Sequence, residues 1–155
     1  MTTLYCLDSG VFINSWTKHY PVEVFPAVWN HLDQLCQANR VFVPDDVAKE
    51  VAAGDDGVSK WLKDRKKIIV KQNEKVILQM KEIINSYPRL AAEGSRRSAA
   101  DPWVIAFAMI KHAILVTEEQ PSGNIKKPKI PDVCIDLDIQ YTNTVGLLRA
   151  TGFKA

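Results

Sequence analysis

Near the start of the chain, Tyr5-Cys6-Leu7-Asp8-Ser9-Gly10-Val11-Phe12-Ile13-Asn14 sets one aspartate in the middle of an apolar segment. A carboxylate in that setting is expensive to bury unless a hydrogen-bond donor or a cation faces it. Other acids stand at comparable junctions. Glu50 follows the apolar run Val41-Phe42-Val43-Pro44, and Asp101 stands just before Trp103–Ala108. Glu118 and Glu119 follow Ala113-Ile114-Leu115-Val116-Thr117, and Asp132 ends the Pro/Gly/Lys-rich stretch after them. Carboxylates gathered from separate segments raise one another's pKa unless a cation sits among them. Hard oxygen ligands of this type suit Mg²⁺ or Mn²⁺. Each acid alone also has a structural use: Asp8 as a turn or cap residue, Glu50 as a solvated helix residue, Asp101 in a helix first turn, Asp132 as a helix cap. The joint pattern is more specific than any one member.

The elements that must position these acids follow from periodicity. Residues 3–7 form a short buried strand, with a helix from Val11 to about Trp16. Phe25, Val28, Trp29, Leu32, Leu35 and Cys36 recur at three- and four-residue steps, an amphipathic helix ending near Asn39. Arg40–Pro44 is a second strand; Asp45 or Asp46 caps the next helix and Gly54 ends it. A Lys-rich helix over Val58–Lys66 precedes a third strand at Ile68–Val70, and a longer helix carries Val76, Met80, Ile83 and Tyr87 up to Pro88. Residues 90–97 read as a connector. Ser98 and Asp101 stand in the S-x-x-D order of a capping box ahead of a nearly all-apolar helix. Ala113–Thr117 is a fourth strand, Asp132–Leu137 a short helix, Ile139–Thr142 a fifth strand, and Val145–Ala150 a last helix. Strands alternating with helices predict a three-layer α/β/α sandwich on a mostly parallel sheet of about five strands. In such a sheet the functional cleft lies beyond the carboxyl ends of the strands, where these acids fall.

The chain has 155 residues, 46% hydrophobic and 25% charged, which fits one packed domain over 1–155. No apolar run approaches the ~18 residues of a membrane helix, and Met1–Asp8 carries no secretory-signal pattern, so a cytoplasmic protein without membrane contact is expected. Cys6, Cys36 and Cys134 are odd in number and widely spaced, as suits reduced thiols, and scattered His19, His31 and His112 argue against zinc. The net charge of +2 does not announce nucleic-acid binding. Its basic residues cluster, however, at Lys60–Lys67, at Arg96/Arg97, and at Lys126, Lys127 and Lys129; each cluster alone reads as a solvated surface, and beside an acidic centre as a phosphate contact. No P-loop or G-x-G-x-x-G is present. A haloacid-dehalogenase-type phosphatase wants a second acid where Gly10 stands, and the acids of a response-regulator receiver fall after other elements.

Over essentially its whole length the sequence resembles the PIN-domain ribonuclease family. The residues that carry the resemblance are Leu7-Asp8-Ser9-Gly10-Val11-Phe12-Ile13, Val43-Pro44 with Val47-Ala48-Lys49-Glu50-Val51, Ser98-Ala99-Ala100-Asp101-Pro102-Trp103-Val104-Ile105-Ala106, and Leu115-Val116-Thr117-Glu118-Glu119. It departs from the family at Gly10, where a small polar residue is common, and in carrying Glu where Asp or Asn usually follows the threonine. By position Glu119 fits the fourth acid best, with Glu118 next and Asp132 a substitute from the far side of the loop. The resemblance implies Mg²⁺- or Mn²⁺-dependent cleavage of RNA, very often by the toxin of a toxin–antitoxin pair. Asp8, Glu50, Asp101 and Glu119 would be catalytic, with Asp8, Asp101, Glu119 and Asp132 as candidate metal ligands. Ser9, Thr117 and Glu118 would support them, and Arg96, Arg97, Lys126 and Lys127 would hold RNA. An antitoxin protein and a homodimer are the partners implied by analogy. The alternative is a PIN-like module that binds RNA or protein with weak or no catalysis.

Overall fold

The computed structural model describes residues 2–90 and 99–155; Arg96, Arg97 and Ser98 lie outside the described residues. Strands β1 (Tyr5–Leu7), β2 (Val41–Pro44), β3 (Ile69–Val70), β4 (Ile114–Val116) and β5 (Tyr141–Thr142) make one sheet in the order β3-β2-β1-β4-β5. Every neighbouring pair is parallel. All residues of β1 and β2 are buried although successive side chains point to opposite faces, so both faces are covered. That is the expected α/β architecture.

The helices are α1 (Ser9–Asn14), α2 (Pro26–Gln37), α3 (Asp45–Ala52), α4 (Asp56–Lys63), α5 (Glu74–Ser86), α6 (Asp101–Lys111), α7 (Ile130–Leu137) and α8 (Thr144–Ala150). On α2 the periodic residues Val28, Trp29, Leu32, Leu35 and Cys36 are all buried, which is why this stretch is helical and where it faces. The apolar run of α6 has a different cause. This helix touches β1, β2, β4, α5 and α7, so Val104 through Ala108 are buried around the whole turn. Phe107 is 1% exposed. The basic cluster after Lys60 is used partly in packing: the Arg65 guanidinium lies 3.8 Å over the Trp61 ring and pairs with Asp33 at 2.7 Å. Cys6, Cys36 and Cys134 are buried free thiols. No helix among the described residues is long and apolar enough to cross a membrane.

Several boundaries differ from expectation for local reasons. The first helix opens at Ser9, two residues early, because Asp8 serves as its N-cap and accepts the Ser9 N–H at 2.8 Å. It then runs into a π-helical turn at Ser15–His19, which apolar periodicity does not reveal. Pro44, not Asp45 or Asp46, is the N-cap of α3, and both aspartates sit in its first turn. Ala100 is the N-cap of α6 and Asp101 its first helical residue, so Asp101 does not stand at the third position that a capping box requires. Helix α7 begins at Ile130 with Pro131 in its first turn, earlier than Asp132.

The chain lays β1, β2 and β3 outward in one direction, then returns to set β4 on the other side of β1. The reversal point therefore lies between β1 and β4. Asp8 leaves the carboxyl end of the first, and Thr117 that of the second. Open α/β sheets place their clefts at this switch point.

Candidate active site

Leu7 stands opposite Val116, and the next residue on β1 extends the ladder, Asp8 N–H donating to Val116 O at 2.9 Å. The two strand ends thus deliver Asp8 and Thr117 side by side. Thr117 Oγ1 donates to Asp8 Oδ2 at 3.0 Å and accepts the Glu119 N–H at 3.2 Å. On its other side Asp8 Oδ1 is held by Ser9 N–H, and the Ser9 side chain favours the charged form of Glu50 on α3. Glu50 Oε1 accepts the Ala100 N–H at 3.1 Å, tying α3 to the residue just before Asp101. Glu119 Oε2 accepts the Ile130 N–H at 3.1 Å, at the start of α7. These hydrogen bonds fix the ends of β1 and β4 and the starts of α1, α6 and α7 around the acids.

The charges of these acids act on one another. Asp8 is pushed up from 3.8 to about 7, first by burial, then by the charge of Glu119; the Ser9 and Thr117 hydrogen bonds oppose the rise, and Glu50 adds to it. Asp101 is pushed up to about 10, again first by burial and then by Glu119, Asp8 and Glu50. Glu50 is raised by burial above all, with Glu119 a further contributor. Asp8 is 5% and Asp101 4% exposed, so water offers neither charge much relief. The cation acting on Asp101 is Lys129, which favours its charged form. Among the described residues no three His, Cys, Asp or Glu side chains stand close enough to hold a metal ion as they are. The donor set nonetheless fits a hard divalent cation: carboxylate oxygens, buried, with like charges raised against one another.

The expected residues separate accordingly. Asp8, Glu50, Asp101 and Glu119 come together, with Ser9 and Thr117 between them. Glu118 packs against the start of α1, its Cβ lying 3.5 Å from the place a Gly10 Cβ would occupy. Asp132 also takes a separate task. Burial works to raise it, but hydrogen bonds from Lys129, Ser122 and Gly123 outweigh burial and hold it below the usual carboxylate range. Its charge is not among those that raise Asp8, Glu50 or Asp101. With those donors on its oxygens, Asp132 acts as a clamp on the loop before α7. Lys126 and Lys127 are exposed on the loop before α7. The backbone N–H groups of Ala100 and Ile130 were not foreseeable as site residues, since no side-chain pattern marks them.

Residues 5–155 match the family described as "Domain of unknown function (DUF4411)", and the chain belongs to that family. No curated protein matches it in sequence. Among solved structures, it is similar to a chain of VapBC2 from Rickettsia felis bound to a DNA fragment from their promoter, at 14% identity and TM-score 0.57 over 91% of this chain and 98% of that one. A chain of VapBC-1 from nontypeable Haemophilus influenzae gives 16% identity and TM-score 0.56 over 92% and 99%. A chain of FitAcB from Neisseria gonorrhoeae gives 16% and 0.53 over 92% and 99%. At these identities the likeness is one of fold, and the fold is the PIN-domain fold.

Proposed function

We propose that this protein is a Mg²⁺- or Mn²⁺-dependent endoribonuclease and the toxin of a toxin–antitoxin pair. The observation that carries the proposal is the gathering of Asp8, Glu50, Asp101 and Glu119 at the switch point of the sheet, with Asp8 and Asp101 buried, Glu50 and Glu119 half-buried, and their like charges acting on one another. Asp8, Asp101 and Glu119 would hold the ion. A bound ion of this type supplies Lewis-acid polarisation of a phosphoryl oxygen and acidifies an attacking water. The chain's own residues do the positioning. Thr117 and the Ser9 N–H fix the two oxygens of Asp8, and Ile130 N–H fixes Glu119, so the carboxylates are oriented before any ligand arrives. Glu50, held by Ala100 N–H, is available to accept a proton from the attacking water.

The partner side of the proposal is an antitoxin protein, supported by the likeness to chains of VapBC and FitAcB complexes; a homodimer of this chain is proposed by analogy alone. The test is RNA cleavage with Mg²⁺ or Mn²⁺ by the protein and by its Asp8→Asn variant. Cleavage should fall by more than about 100-fold in the variant, because several kcal/mol of charge stabilisation is removed. Equal activity in both would mean a contaminating nuclease.

A second reading, a PIN-like module that binds RNA or protein with weak or no catalysis, is favoured by one observation: the carboxylates do not stand at ligand spacing as they are. Calorimetric titration with Mn²⁺ separates the two, since absence of binding at neutral pH supports the module.

A further inference from the structure

Residues 120–129 join β4 to α7 beside the acids, and such a connection is normally left loose. Here it is tied from within the fold. Asp132, 8% exposed, accepts Ser122 N–H at 2.9 Å, Ser122 Oγ–H at 2.8 Å, Gly123 N–H at 3.0 Å and Lys129 N–H at 2.7 Å. Gly123 has φ +73°, the left-handed backbone that lets its N–H reach the carboxylate at little steric cost. Asn124 continues the lacing by accepting Lys126 N–H at Oδ1 and Lys127 N–H at its carbonyl, both at 3.0 Å. Pro128 is buried between exposed Lys127 and Lys129. The far end is pinned to the site itself, through Ile130 N–H on Glu119.

Ordering this segment is entropically unfavourable, so something must use the order. What the segment presents is cationic: Lys126, Lys127 and Lys129, none of them in an ion pair among the described residues. Lys129 lies nearest the acids, next to Ile130, whose N–H binds Glu119. A phosphate approaching four carboxylates is repelled, and a fixed cation at their rim offsets that repulsion. A lysine already held in place loses less freedom on binding than one on a mobile loop.

We propose that Asp132 is a latch that presets residues 120–129 as one jaw of the acid cleft, placing Lys129 on the RNA phosphate beside the cleaved bond. Lys126 and Lys127 extend the same cationic edge along the strand. The inference rests on the ribonuclease reading. Asp132 acts through the loop and is a positioning residue.

The test uses the full chain carrying Asp8→Asn, so that RNA stays intact, and a fluorescein-labelled mixed-sequence RNA of about 12 nucleotides followed by anisotropy. Adding Lys129→Ala should weaken binding by about 3–10-fold and lower the salt slope of log K by about 0.7, the loss of one single-strand phosphate contact. Adding Asp132→Asn instead should give a similar loss, and both together should be little worse than either, because they act on one device. In the otherwise unaltered chain, Asp132→Asn should keep Mn²⁺ affinity within about threefold, whereas Asp101→Asn should lose it by about 10-fold or more. Unchanged RNA affinity and salt slope with Lys129→Ala overturns the jaw while leaving the nuclease standing. Loss of Mn²⁺ affinity with Asp132→Asn equal to that with Asp101→Asn makes Asp132 a ligand and overturns the latch. No RNA binding by the Asp8→Asn parent overturns both readings. Lys129 is exposed, so its substitution decides the matter even if Asp132→Asn fails to fold.

Discussion

Asp8 is held by two hydrogen bonds that favour its charge and by a burial that opposes it, and burial wins. The consequence for stability has a definite sign. Its folded pKa is about 7 against 3.8 for an ordinary aspartate, so between those pH values the folded chain binds more protons than the unfolded one. Stability is then fully present below about pH 4 and is lost as pH rises through about 7. The full shift from 3.8 to about 7 is worth at most about 4 kcal/mol, at about 1.4 kcal/mol per unit. Asp101, pushed up to about 10, continues the loss into alkaline solution. Thermal melts in a chelating buffer should therefore give a lower Tm at pH 8 than at pH 5.5, opposite to an ordinary acid-sensitive protein. Replacing Asp8 by Asn should flatten that dependence while leaving the low-pH Tm nearly unchanged. A metal-free Tm that climbs steadily from pH 5.5 to 8 would contradict the convergence of these acids.

At the scale of elements, two glycines at helix starts carry opposite expectations. Gly10 lies in the first turn of α1, where a methyl would meet Glu118 and Asn14 at 3.5 and 3.6 Å, ordinary contact distances. Gly10→Ala should stabilise by about 0.5 kcal/mol, since glycine is the poorer helix former and nothing needs to move. Gly146 starts α8 against β5, and a methyl there would overlap Thr142 Oγ1 and press its Cβ at 3.2 Å. Gly146→Ala should cost about 1–3 kcal/mol, read from denaturant midpoints at unchanged slope. The strands and long helices were legible because each is a run of one periodicity closed by a polar, Pro or Gly residue. The start of α6 was not, because S-x-x-D predicts a cap by local chemistry alone, while Asp101 stands at the first helical position with its charge among the acids. By position Glu119 ranked ahead of Glu118 in the sequence, with the fourth acid left open for a similar reason. The choice depends on Ile130 N–H, which reaches back from α7. Asp132 shows the same limit: apart from the Ser122 hydroxyl its partners are backbone groups, silent in any side-chain pattern.

For the whole molecule, the acids sit where the sheet reverses direction, so any ligand they share bonds several elements at once. Such a ligand binds the folded chain and not the unfolded one, and must raise global stability. Mn²⁺ at about 100 times its dissociation constant would add about 2.7 kcal/mol. In a domain of this size that is about 5–10 °C in Tm, at about 2–4 °C per kcal/mol. The effect should be large at pH 8 and small at pH 5.5, since the ligands must lose their protons to bind and Asp8 and Asp101 hold theirs unusually hard. The metal-free and Mn²⁺-loaded melting curves should therefore converge on acidification and diverge toward neutral pH. Asp8→Asn should remove most of the divergence, because the variant lacks one of the three proposed ligands. Equal Mn²⁺ stabilisation at both pH values would place the ion outside this cleft, and none at either would leave the acids as a destabilised cluster without the cation their repulsion calls for.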